Sequence, residues 1–163
     1  MAKITKIGYG QVEPNHLSAQ RTGQIYAQLP ADSSIDKLEN GQFVKYDYAS
    51  GKVNFTGEGE YMLVLNEVKL YDERKTNKDF VMKKEDCVGG VMVPRVFKTN
   101  VGDIYTTNMV DPQVEITAGT TKLTPGDKGI LKAATGTEDM IWKVVKVYTM
   151  ADGQAAVKLQ RIK

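Results

Sequence analysis

The run Ile141-Trp142-Lys143-Val144-Val145-Lys146-Val147-Tyr148-Thr149 and the run Gln154-Ala155-Ala156-Val157-Lys158-Leu159-Gln160-Arg161-Ile162 flank the short segment Met150-Ala151-Asp152-Gly153. Both runs are rich in β-branched and aromatic residues, so the whole reads as a β-hairpin. Two registers compete. A tight Asp-Gly turn would set Tyr148 against Val157 and Lys146 against Leu159. A three-residue Ala-Asp-Gly loop, with Gly153 in the left-handed region, instead pairs Val147 with Val157, Val145 with Leu159 and Lys146 with Lys158. Side chains alternate along a strand, so a slip of one residue inverts all of them. Only the second register gathers Val145, Val147, Val157 and Leu159 on one face and leaves Lys146, Lys158 and Gln160 on the other. It is the expected one.

Working upstream, the same signals recur. Gln42 to Tyr48 and Val53 to Thr56 alternate around Ala49-Ser50-Gly51-Lys52, which predicts a second hairpin. Val93 to Thr99 and Ile104 to Asn108 flank Asn100-Val101-Gly102-Asp103, a third hairpin signal. Pro94 lacks an amide donor, so its strand should begin there or lie at a sheet edge. Val114 to Thr117 reads as a short strand, Leu123 to Gly129 as a turn cluster, Ile130 to Ala133 as a strand and Thr135 to Asp139 as a polar loop. Glu60 to Leu70 suits a strand buried on both faces, although Leu63, Glu67 and Leu70 also fit a helical face. Asp72 to Asp86 carries five cations and five carboxylates in mixed order. A phosphate-binding patch needs one sign, so this stretch reads as a solvated loop.

The fold class expected from these signals is all-β: a small antiparallel barrel or sandwich of short hairpins with an extended N-terminal arm. The division is residues 1–40 as arm, 41–87 as a first β unit with its charged loop, and 88–163 as a C-terminal barrel or sandwich. The arm is set apart by Gly8, Gly10, Pro14, Gly23 and Pro30, which interrupt any helix. Its apolar residues follow no steady period. It should lie across its own domain or across a partner.

Composition narrows the function classes. With 22 Lys+Arg against 20 Asp+Glu the net charge is +2, which gives no general electrostatic case for nucleic-acid or anionic-membrane binding. A single Cys and a single His exclude a disulfide framework and the usual zinc sites. No signal peptide and no membrane span are predicted. His16 sits in the glycine- and proline-broken arm and reads as a surface or capping residue. Cys87 follows Glu85 and Asp86, whose charges disfavour a thiolate. Gly8-Tyr9-Gly10 and Gly57-Glu58-Gly59 lack the third glycine of a dinucleotide loop. Glu58 and Glu60 would share a face if they lay on a strand, but turn geometry explains them equally well. The expectation is a non-enzyme without cofactor or metal.

One charged face remains. The closing hairpin carries Lys143, Lys146, Lys158, Arg161 and Lys163 against Asp152, and the expected register puts Trp142 and Tyr148 on the face of Lys146 and Lys158. Basic side chains interleaved with aromatics suit single-stranded nucleic acid, because bases stack while phosphates meet cations. The near-neutral total charge favours a plain solvated face.

Val96-Phe97-Lys98-Thr99-Asn100-Val101-Gly102-Asp103-Ile104-Tyr105-Thr106-Thr107-Asn108 and the segment from Trp142 to Leu159 resemble small virion structural proteins of tailed bacteriophages. These are the head-decoration, head-fibre and capsid-stabilising proteins that accompany the major head protein. The resemblance implies a β-rich non-enzyme added to the capsid lattice, often with an arm that reaches neighbouring subunits. Its partners would be the major capsid protein and copies of itself, as a homo-oligomer or bound to the lattice. Its place would be the virion, and the host cytoplasm during assembly. The resemblance assigns no residue to the capsid contact. From the residues themselves, the expected anchor is Ile4, Ile7, Tyr9, Ile25 and Tyr26, since no local element would bury them. The alternative is a small β-barrel that binds single-stranded nucleic acid through Trp142, Lys146, Tyr148 and Lys158.

Overall fold

The computed structural model describes residues 1–14, 25–66, 81–151 and 153–163. Among them the regular structure is β, with three short 3-10 turns and no α-helix. The strands are β1 (Val12–Glu13), β2 (Ile25–Gln28), β3 (Lys37–Leu38), β4 (Phe43–Asp47), β5 (Lys52–Asn54), β6 (Tyr61–Val64), β7 (Met82–Lys83), β8 (Arg95–Phe97), β9 (Ile104–Thr107), β10 (Lys122–Pro125), β11 (Leu131–Ala133), β12 (Trp142–Thr149) and β13 (Ala155–Arg161). They form a six-stranded sheet in the order β1-β9-β13-β12-β10-β11, a five-stranded sheet in the order β2-β8-β6-β4-β5, and the separate pair β3-β7. Every paired ladder is antiparallel. The fold class is all-β, and its sheets include a curled half-barrel.

The closing hairpin follows the expected register at its tip. Val147 lies opposite Val157 and Lys146 opposite Lys158. The Met150 N–H donates to the Gln154 carbonyl at 2.8 Å, the Gly153 N–H to the Met150 carbonyl at 2.9 Å, and Gly153 has φ +83°. These bonds close the three-residue loop, of which Asp152 itself lies outside the described residues. Deeper in the hairpin the register shifts. Leu159 lies opposite Val144, not Val145, because the ladder slips between Val144 and Lys146. An extra residue in one strand resets the alternation. Trp142, Val144 and Val147 therefore turn inward while Val145 and Lys146 are exposed.

Elsewhere the expected hairpin strands form, but their partners differ. Among the described residues five further strands arise where none was expected: β1, β2 and β3 in the arm, β7 in the charged loop and β10 across the start of the Leu123–Gly129 turn cluster. β4 and β5 make the expected hairpin, with Tyr46 opposite Val53, and Gly51 at φ +68° closes it. Tyr61 to Val64 is strand, not helix, and is covered on both faces; residues 67–70 lie outside the described residues, as do 71–80 of the charged stretch. β8 begins directly after Pro94. The third hairpin does not form: β8 joins β2 and β6, while β9 joins β1 and β13. Asn100 to Asp103 is a tight turn, with Asp103 N–H to Asn100 carbonyl at 3.0 Å, but Arg161 backbone groups also bond to it at 2.8 and 2.9 Å. The turn is a corner at which the chain passes from one sheet to the other. Val114 to Thr117 makes only an isolated bridge, Ile116 to Ala2.

A shared core joins the two sheets. Phe43 of the five-stranded sheet meets Tyr105 and Trp142 of the six-stranded one, with ring centroids 6.5 and 6.0 Å away, and Tyr105 and Trp142 stand edge to face at 4.8 Å. Leu63 and Phe97 pack into the same cluster as Val144, Val157 and Leu159. The other face of the five-stranded sheet buries Val44, Val64 and Val96 against Leu38 and Met92. Sheet membership thus cuts across residue 88: β8 belongs with the strands of 41–87, and one aromatic cluster spans both expected units.

Candidate interaction surfaces

Residues 1–14 of the N-terminal segment dock on their own chain, while residues 15–24 lie outside the described residues. Ala2 exchanges backbone hydrogen bonds with Ile116 at 2.8 and 2.7 Å, and Ile4 is buried in the aromatic cluster. Gly10 lies where a Cβ would come within 2.4 Å of the Asn40 carbonyl and the Met109 sulfur, so only glycine lets the segment approach so closely. Glu39, a buried carboxylate, gathers this region. It accepts from the Gly10 N–H at 2.6 Å, pairs with the Lys6 ammonium, and lies 3.7 Å from that of Lys37. The Gln11 N–H donates to Asn108 Oδ1 at 2.8 Å, and Thr107 Oγ1 donates to the Gln11 carbonyl at 2.8 Å. Glycines and prolines made the segment irregular without making it free.

The five expected anchor residues consequently scatter. Ile4 is a core residue, packed in the cluster that the two sheets share, and it has no surface to offer a partner. Tyr9 is half-buried with the Lys37 ammonium 5.8 Å from its ring centroid. Ile7 is 65% exposed. Ile25 lies on the edge strand β2, its side chain outside the described residues, and Tyr26 beside it is 44% exposed. β1 and β2 cover the outer edges of β9 and β8, one on each sheet.

Tyr26 is part of a larger cluster at one end of the five-stranded sheet. The Lys98 ammonium stands 4.0 Å from the Tyr26 ring centroid and pairs with Glu60 at 2.8 Å. That hydrogen bond to Glu60 raises the Lys98 pKa, against a smaller opposing effect of burial, and the nearby Tyr26 and Tyr48 act in the same direction as Glu60. Tyr48 is 67% exposed and meets Tyr46 edge to face at 5.1 Å. Glu60 is engaged by Lys98 just ahead of β6, and Glu58 lies in the preceding bend, so neither is on a strand and the shared-face pair considered from the sequence is not formed. Tyr48 and Lys98 escaped sequence reasoning because they lie on segments distant from Tyr26; the strand order β2-β8-β6-β4 brings Lys98 to the Tyr26 ring and Tyr48 near Lys98.

The residues of the nucleic-acid alternative divide. Lys146 and Lys158 are direct cross-strand partners, and half-exposed Tyr148 lies opposite Ala156. Trp142 does not join them. The slip at Val145 turns its indole into the core, where it is fully buried. The face gains a lysine instead: Lys122 of β10 is the cross-strand partner of Lys143. No sequence signal brings residue 122 beside residue 143; the β10–β12 ladder does.

Other candidates are weaker. His16 lies outside the described residues. Cys87 is half-buried, its thiol donating to the Lys83 carbonyl at 3.2 Å. It borders a hollow of about 550 Å³ with walls of mixed charge, including Asp36, Lys37, Lys84 and Glu85. A second hollow of about 480 Å³ is walled by Met109, Val110 and Ile130 with Lys6, Lys128 and Asp127 at its rim. Among the described residues no group of three or more His, Cys, Asp or Glu is placed to hold a metal ion. No family model, curated protein or solved structure matches the chain.

Proposed function

We propose that this chain is a non-enzymatic structural protein of a tailed-bacteriophage virion, which decorates or stabilises the capsid through contacts with the major capsid protein and with copies of itself. Its finer architecture, on this reading, is a sandwich of short antiparallel strands with the N-terminal segment laid along an edge of each sheet. The observation that carries the reading is the pair of exposed tyrosines, Tyr26 and Tyr48, gathered about half-buried Lys98 at one end of the five-stranded sheet. Tyrosine buries a large area at little cost in rotamer entropy and keeps a hydroxyl for a polar rim, which is why it anchors protein interfaces. Ile7, exposed on the clamped N-terminal segment, is a further apolar side chain available to a partner.

The anchor on this reading is Ile7 and Tyr26 with Tyr48, and not Ile4, whose burial keeps it within its own chain. A single copy would contribute a modest interface, and lattice symmetry would multiply it into avidity. The protein would work in the virion after residing in the host cytoplasm during assembly.

Co-sedimentation with phage heads that lack the protein tests this. The wild type should pellet with the heads, and a Tyr26→Ser, Tyr48→Ser double variant should lose about ten-fold or more in occupancy at limiting concentration, as expected for hot-spot aromatics. Absence of wild-type binding, or unchanged occupancy of a folded double variant, would overturn the proposal.

A further inference from the structure

The outer face of the six-stranded sheet carries a pattern that solvation alone does not require. Its four adjacent strands β13, β12, β10 and β11 read AAVKLQR, WKVVKVYT, KLTP and LKA, with no carboxylate in any of them. Their inward face is the core of Leu123, Trp142, Val144, Val157 and Leu159. Their outward face sets lysine directly opposite lysine twice, Lys122 against Lys143 and Lys146 against Lys158. Like charges directly opposed on a ladder are destabilising, and a merely wet face relieves this by mixing signs. Among the described residues none of these four lysines forms an ion pair. At their centre the register slip pushes out Val145, a β-branched apolar side chain that is 45% exposed.

We infer that this face is a docking site for a carboxylate-rich protein surface, with Val145 as its apolar centre and Lys122, Lys143, Lys146 and Lys158 as its charged rim. An apolar centre inside a polar rim is the anatomy of a protein–protein contact. Single-stranded nucleic acid fits less well. A stacking platform needs aromatic rings, and with Trp142 in the core only Tyr148 remains on this face. The planar fork of arginine is the preferred phosphate ligand, and the strands' one arginine, Arg161, is engaged with the Thr99 carbonyl and hydroxyl. The inference concerns a different surface from the tyrosine cluster and stands independently of the virion reading.

Fluorescence anisotropy of the full chain tests it, with an oligoglutamate peptide and an oligothymidylate of equal charge as probes, at low and at physiological salt. The peptide should bind at least as tightly as the oligothymidylate. Lys146→Glu with Lys158→Glu should weaken peptide binding about ten-fold or more, because rim charges steer and hold an oppositely charged partner. Val145→Thr should weaken it by a few-fold with no change in net charge. Should the first double variant fail to fold, Lys122→Glu with Lys143→Glu makes the same test on the neighbouring ladder. Tighter binding of oligothymidylate would identify a nucleic-acid face and overturn the inference. So would failure of the peptide to bind, or unchanged affinity in the folded charge-reversed variants.

Discussion

Gly129 shows how much a single position can carry. It has φ +70°, and a Cβ built there would lie 2.0 Å from the Phe43 carbonyl oxygen, a backbone atom that cannot swing aside. The closeness is what lets the 3-10 turn Asp127–Gly129 press against β4, where the Gln42 amide also reaches the Lys128 carbonyl at 2.9 Å. Gly129→Ala should therefore cost about 3 kcal/mol or more, from left-handed strain plus displaced backbone. Gly136 is the control: its φ is +105° but no atom lies within 4 Å of the built Cβ. Gly136→Ala should cost about 1–2 kcal/mol, from conformation alone. Urea midpoints of the two variants measure the difference, and equal losses would show that the close approach to Phe43 contributes nothing. From the sequence, the turn at Asp127–Gly129 was legible, because glycine fixes local torsions, but Leu123 to Pro125, read as part of the same turn cluster, belong to strand β10. That the turn rests on Phe43, far upstream, was not legible.

At the level of the element, the β12–β13 hairpin separates what alternation can and cannot say. Its loop and tip register follow from Gly153 and from the burial of Val147 and Val157, both local matters. The slip at Val145 is not local. It places Trp142 beside Phe43 and Tyr105, which lie on other strands, and regular alternation would have left the indole outside. The opposed lysines survive the slip, and their repulsion gives a direct prediction. Lys146→Glu converts Lys146–Lys158 into an opposite-charge pair and should raise stability by about 0.2–1 kcal/mol at low salt. The gain should shrink as salt shortens the Debye length to a few ångströms. Thermal melts at two ionic strengths read it out, and a destabilised variant would mean that a neighbour unrelated to the ladder holds Lys146 in place.

For the whole molecule, stability depends on the aromatic cluster that both sheets share. Trp142 is fully buried, and its indole N–H has no hydrogen-bond partner among the described residues. It is the chain's single tryptophan. Its fluorescence should be blue-shifted and resist iodide quenching in the native state, and Trp142→Ala should cost about 3–5 kcal/mol. Emission like that of free indole would refute its place in the core. Sequence alone determined that the chain is all-β, where its main turns fall, and how the last hairpin is registered at its tip, because strand periodicity and glycine torsions are properties of the backbone within a few residues. Only the tertiary structure decided that β8 and β9 part into different sheets, that Ile4 belongs to the core, that Trp142 turns inward and that Lys122 stands beside Lys143. Those outcomes depend on which distant strands can bury one another's apolar faces, a competition settled by packing across the whole chain.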